Sequence, residues 1–347
     1  MKRLLMAGCA AGVMLAAPVY AFDGWHQESA TTLPSKNSGY DYISFDAASN
    51  RLFLGHRGEG LQVFDVAGKK LVKVIDGTPA HSSNGGLLLP EFDLGISNNE
   101  DGTITPFKLS TLEAKEAIKL AEGIDTSHYD PATKRIVVNT SAGKDGTDLL
   151  VLEVPSLKQV GSIKVGTQKA EHAEGDGKGN FYLASRDPAK LYRIDTKEMK
   201  VTAEWATPGC DQTNSLALDK ANNRIILGCR GSDKVKPSLT VVNAETGAVV
   251  YTAEMGANND GVIFDPATKR IFAANGNSAL INVFEQVDAD HYKPLEALNT
   301  RINAKVLAYD AKNQKLFSMA SEESLDQQTK KKTIFPNTFT VFSYAKN

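Results

Sequence analysis

Phe264-Asp265-Pro266-Ala267-Thr268, continued by Arg270-Ile271-Phe272-Ala273-Ala274-Asn275 and then by Leu280–Glu285, is the stretch that decides the fold. An apolar run ends in an aspartate, Pro-Ala-Thr makes a turn, and a second and third apolar run follow. This is the chemistry of short strands joined by tight turns. The same arrangement returns at Tyr42–Asp46, Gly85–Leu89, Thr126–Asp130, His172–Asp176, Ser215–Asp219 and Val306–Asp310, which with Gly261–Asp265 makes seven occurrences. The closing residues 46, 89, 130, 176, 219, 265 and 310 are spaced by 43, 41, 46, 43, 46 and 45 positions. A unit of that length cannot bury its own apolar face, so the repeat implies stacked or radially closed units.

Each unit divides into four strands. In the third, Thr126–Asp130, Arg135–Asn139, Asp148–Val154 and Lys158–Val165 alternate around turns. Four short strands per 40-odd residues mark the blade of a β-propeller. A leucine-rich solenoid would need a shorter period with Leu/Asn ladders, and Leu112–Leu120, which has some helical character, occupies a fourth-strand slot. The last unit holds only three strands: Lys305–Tyr309, Lys315–Met319 and Phe339–Tyr344. Residues 24–33 precede the first unit and have none of their own. The expected fold is therefore all-β: a single seven-bladed propeller over 22–347, its last blade completed by the N-terminal strand, so that ring closure removes the sheet edges.

Residues 1–21 read as a targeting segment. Lys2 and Arg3 precede an apolar run from Leu4 to Leu15, and the small residues Val19 and Ala21 place cleavage before Phe22. A lipoprotein signal at Met6–Cys9 is the rival, with too few apolar residues before the cysteine. The expected location is the periplasm. Without the signal the chain carries 37 basic and 41 acidic side chains and no basic stripe, which argues against a nucleic-acid partner. No other apolar run approaches membrane-spanning length. A monomer is expected. Only Cys210 and Cys229 remain; antiparallel neighbours bring them to one edge, where a disulfide closing a loop of about 20 residues contributes about 3 kcal/mol. Lys330-Lys331-Lys332 sits in a polar insertion, Glu322 to Pro336, and reads as a solvated tip.

The Phe264–Asn275 stretch resembles the YVTN-type repeat of YncE-like bacterial β-propellers. So do Tyr129-Asp130-Pro131-Ala132-Thr133-Lys134-Arg135, Asp176-Gly177-Lys178-Gly179, and Leu216–Asp219 leading to Gly228-Cys229-Arg230. The likeness covers the mature chain, although the eponymous Tyr-Val-Thr-Asn is absent from every blade and Leu89-Pro90 replaces the second aspartate. The resemblance implies an exported binding or interaction module. Lactonases share the propeller architecture, so the fold alone does not settle function.

Comparing blades at one offset gives the candidate site. Five residues before each anchor stand Asp41, Asn84, Asp125, Glu171, Asn214, Asp260 and Lys305, all polar. Seven such side chains at inner-strand starts would converge on a channel mouth and could take a ligand. Asp41, Asp125, Glu171 and Asp260 are the possible ligands of a divalent cation, Ca²⁺ or Mg²⁺, with Lys305 as its competitor. His56, His128 and His172, with His81, are accessory candidates without metal-ligand spacing. Arg57, Arg186 and Arg230 follow second strands at matching places, either to hold an anion or to pair with the acidic ring. No nucleophile elbow, phosphate loop, dinucleotide fingerprint or haem motif is present in the sequence. The expected activity is binding of a small ligand or a protein partner, with a metal-dependent lactonase-like hydrolase as the alternative.

Overall fold

The computed structural model describes residues 24–75, 82–140 and 142–346. The signal segment and His81 lie outside them. Seven four-stranded antiparallel sheets form the blades of a β-propeller. Six of them run outward in chain order, as in blade 1 with Tyr40–Asp46, Arg51–His56, Gly60–Asp65 and Lys70–Ile75; the seventh takes its outer strand from the N-terminal end of the described residues. Blade 2 is the irregular one. Its fourth strand is only Ile118–Lys119, and the helical character of residues 112–120 is not realised.

The recurring aspartate acts at both ends of its short side chain. In blade 6, Asp265 accepts the Ala267 N–H at 3.0 Å on one oxygen and the Thr268 hydroxyl at 2.6 Å on the other, closing the turn. The same pattern holds at Asp46, Asp130, Asp176, Asp219 and Asp310. Side-chain capping of this kind is why Asp and Asn favour turns over strands. Three anchors also reach the next blade. Asp265 accepts from Tyr309 at 2.9 Å, Asp219 from Gln286 at 2.6 Å, and Asp130 from Thr196. Blade 2 dispenses with this device: Pro90–Phe92 forms a 3₁₀ turn that ends on Asp93 in the left-handed region, and Asp93 instead holds Ser110 at 2.7 and 2.8 Å.

Apolar side chains fill the gaps between blades. Phe53 of blade 1 stacks on Phe107 of blade 2 at 5.6 Å. The most extensive cluster lies where the ring closes, joining Trp25, Leu33, Tyr40, Phe272, Phe317, Phe339 and Tyr344 from blades 6, 7 and 1. There Trp25–Thr32 pairs with Thr340–Lys346 from Trp25↔Lys346 to Thr32↔Thr340, completing blade 7 as the sequence implies. The insertion after Ala320 folds as a separate hairpin, Glu323–Leu325 with Lys332–Ile334. Cys210 and Cys229 are bonded and fully buried.

Deleting residues 24–33 should remove the outer strand of blade 7 and the burial of Trp25 and Leu33. At about 2–3 kcal/mol per large buried side chain, and about 2–4 °C per kcal/mol, the melting temperature is expected to fall by about 10 °C or more. An unchanged melting curve would show that the ring closes without this strand.

Candidate functional site

The ring position is shaped by backbone irregularity. The pairing of the first two strands skips a residue between Thr213 and Ser215, and between Asn259 and Gly261. It skips two positions between Ala170 and Ala173, and two between Tyr40 and Ile43. Asn214, Asp260, Glu171 and Asp41 are thus the extra residues of β-bulges, which re-aim side chains out of the ladder. Asn84, Asp125 and Lys305 immediately precede or lie just upstream of their inner strands.

Asp41, Asp125, Glu171, Asp260 and Lys305 come together around one cavity of about 190 Å³. Arg57, Arg186 and Arg230 line the same cavity, and so do two residues the sequence did not single out, Tyr42 and Lys169. Every carboxylate of the ring faces a cation. Asp41 lies 2.6 Å from Arg57 and 3.2 Å from Lys305. Lys305 also reaches Asp260 at 2.5 Å, Arg230 bonds Asp260, Lys169 bonds Asp125 at 2.5 Å, and Arg186 lies 3.3 Å from Glu171. Asn84 and Asn214 stand behind the lining and link blades. Asn84 accepts from Arg57 at 2.8 Å and donates to the Ile124 carbonyl at 2.8 Å, while Asn214 donates to Asp260.

Each ring carboxylate named as a possible Ca²⁺ or Mg²⁺ ligand is matched by ammonium or guanidinium, and no group of three metal-ligating side chains occurs among the described residues. His56 does not line this cavity. It is buried between blades 1 and 7, bonded to Gln62 at 3.2 Å and paired with Glu59 at 3.1 Å, its ring 4.2 Å from that of Phe339. His128 and His172 do approach the channel as an edge-to-face pair 4.8 Å apart. Of the two readings of the arginines, the structure shows pairing with the acidic ring.

Burial sets the protonation states. It pushes Glu171 up to about 8, against Lys169 and Arg186 and aided by Asp125 and Asp260. Asp41 is raised by burial too, although Lys305 and Arg57 oppose it. For Asp260 the order reverses: burial pushes upward, but Lys305 and Arg230 outweigh it and its carboxyl sits below the usual range. Burial also pulls Lys305 down, and Asp260 and Asp41 more than compensate, so it stays charged. Burial and the surrounding carboxylates keep the Tyr42 hydroxyl protonated. His172 is lowered to about 4 and His128 well below its usual value, both by burial.

A second surface feature adjoins this end. A groove of about 730 Å³ lies between the hairpin and the loops carrying Asn277 and Arg301. Its walls expose Ile302 (48%), Leu325 (46%) and Phe335 (43%), three of the six exposed large hydrophobic side chains among the described residues. No helix among those residues is long and apolar enough to cross a membrane.

Comparison with known proteins reaches the fold and stops there. No protein-family model matches the chain, and no curated protein matches it. Among solved structures, a chain of the mitotic checkpoint complex superposes with a TM-score of 0.72 at 11% identity, over 96% of this chain and 99% of that one. Hydrazine synthase of Kuenenia stuttgartiensis superposes with a TM-score of 0.69 at 11% identity, over 88% and 97% of the two chains. The likeness is one of architecture.

Glu171 gives the mouth a measurable pH dependence. Its native-state value near 8 lies above the unfolded value of 4.5, so the native state holds the proton longer and stability falls as pH rises from 4.5 to 8. The slope from this group is at most about 1.4 kcal/mol per pH unit. The buried histidines act on the acid side, where stability falls as pH drops below 6.5 because the unfolded state takes up their protons first. Glu171→Gln should flatten the melting profile between pH 6 and 8.5 and leave the acid limb intact. An alkaline slope equal to that of wild type would contradict the assignment.

Proposed function

We propose that the protein is an exported binding module that takes its ligand or partner at the channel mouth. The observation that carries this reading is the convergence of four carboxylates and five cations on one cavity of about 190 Å³. Bulges supply four of the seven ring residues, and a scaffold needing only closure has no use for them. Buried ion pairs of this density are a weak source of stability, because desolvation offsets most of the attraction. Fixed charges of both signs in a concave site suit a zwitterionic or multiply charged polar ligand, which would be held by orientation as much as by affinity. The disulfide and the N-terminal signal pattern support export to the periplasm, and the strand–turn repeat supports kinship with YVTN-type propellers.

Binding is favoured over metal-dependent hydrolysis by the pairing itself. A catalytic cation needs several oxygens free to converge on it, and here each carboxylate is neutralised by a side chain. The exposed apolar groove beside the hairpin favours a protein as the larger partner, since contiguous apolar patches mark interaction surfaces.

Wild-type protein and an Arg57→Ala/Arg186→Ala variant would be immobilised and exposed to an extract of exported proteins and solutes, with eluates read by mass spectrometry. The expected result is a defined set of molecules kept by wild type and lost, at least tenfold, by the variant. Identical retention by both proteins would contradict the mouth as the site. A large melting shift with Ca²⁺ or Mg²⁺ alone would favour the hydrolase instead.

A further inference from the structure

The seven blades are not equivalent along the channel. Three residues before each anchor the chain places aliphatic side chains in blades 1, 5, 6 and 7, as Ile43, Leu216, Val262 and Leu307. In blades 2, 3 and 4 the same position carries Gly86, Ser127 and Ala173. A chamber of about 190 Å³ lies beside Gly86 and Ser127 and is lined also by Tyr42, Ile43, Asn98, His128 and His172; Ile43, Leu216, Val262 and Leu307 line a separate cavity of about 300 Å³. Tyr42 also lines the mouth, so the two cavities share a wall.

Two of the chamber's polar groups have no protein partner. The Oδ1 of Asn98 and the Oγ of Ser127 are buried and accept or donate no hydrogen bond, although both side chains are more than nine-tenths buried. The Asn98 amide nitrogen makes only a long contact of 3.5 Å with the Gly85 carbonyl. Leaving such groups unmet costs roughly 1–3 kcal/mol each. His128 is already bonded to Thr126 at 2.9 Å and packs against His172.

We propose that this chamber is a binding site for a small uncharged molecule, about one ring in size, that donates a hydroxyl or N–H to Asn98 and Ser127. The size follows from the volume, since cavities of about 150 Å³ accept benzene. Neutrality follows from the walls: no Asp, Glu, Lys or Arg lines the chamber, and burial keeps both imidazoles uncharged. An ion would be desolvated there without a counter-charge. The donor requirement follows from the unpaired amide oxygen, and the faces of Tyr42 and His172 supply flat surfaces for a ring.

Phenol is the probe, with toluene as its size match lacking a donor and benzoate as its charged counterpart, each titrated by ligand-observed NMR on the full exported protein. Phenol is expected to bind saturably, at least tenfold tighter than toluene or benzoate. Ser127→Leu, which installs the residue blades 5 and 7 carry, should abolish phenol binding. Asn98→Leu should weaken phenol about tenfold while leaving toluene unaffected, and it serves should the first variant not fold. Arg57→Ala/Arg186→Ala should leave the phenol equilibrium unchanged, which separates this site from the mouth. Absence of saturable phenol binding, toluene binding as tightly as phenol, or equal phenol affinity in wild type and the folded variants would overturn the proposal and leave a chamber occupied by water.

Discussion

The ammonium of Lys305 lies between Asp41 and Asp260, at 3.2 and 2.5 Å, and so ties blades 6, 7 and 1 together on the inside of the ring. On the outside of the same seam, Trp25–Thr32 zips onto Thr340–Lys346. A propeller has one place where its chain must meet itself, and both contacts fall there. The other junctions are held by a humbler device, the anchor aspartate that closes its own turn and, in blades 3, 5 and 6, reaches into the next blade. Backbone pairing gives blade 7 its fourth strand, so that each of the seven blades presents a single outer edge.

That constraint frees the channel. Once interblade packing of side chains such as Phe53 on Phe107 holds the blades, the inner strands are able to carry bulges without loss of the fold. Asp41, Glu171, Asn214 and Asp260 sit on those bulges, and arginines arriving from second-strand ends meet the three carboxylates. The mouth is therefore a charged lattice supported from behind by Asn84 and Asn214. Below it the wall changes to neutral histidines, tyrosine and small residues.

The fold was legible because turns are local: an aspartate that caps its own turn must recur at one place per blade, and it does so at 46, 130, 176, 219, 265 and 310. The exception at Leu89 was visible as a departure, but its replacement by a 3₁₀ turn and Asp93 was not, since Asp93 acts on Ser110 in another loop. The same fixed offset is what picked out Asp41, Asp125, Glu171, Asp260 and Lys305, the five ring residues that gather at one cavity. Lys169 was missed because no other blade repeats it, and a carboxylate's cationic neighbour is a fact of space rather than of spacing. His56 packs on Phe339 of blade 7 because the end of a second strand can turn toward a neighbouring blade as readily as toward the axis.

On the proposed reading the charged mouth serves binding, and the propeller's stability comes from the backbone pairing of Trp25–Thr32 with Thr340–Lys346, the packing behind it and the turns, with the Lys305 ion pairs adding little. Equilibrium urea unfolding of wild type and of the variant Asp41→Asn/Arg57→Met/Arg230→Met/Asp260→Asn/Lys305→Met at pH 7 tests it most directly. Removing Lys305, its two carboxylates and their arginine partners together leaves none of these ion pairs half-made, and such replacements are commonly close to neutral in stability. The expected difference is within about 2 kcal/mol. A loss of several kcal/mol in the folded variant would show instead that the ring of charges is what holds the seven blades together.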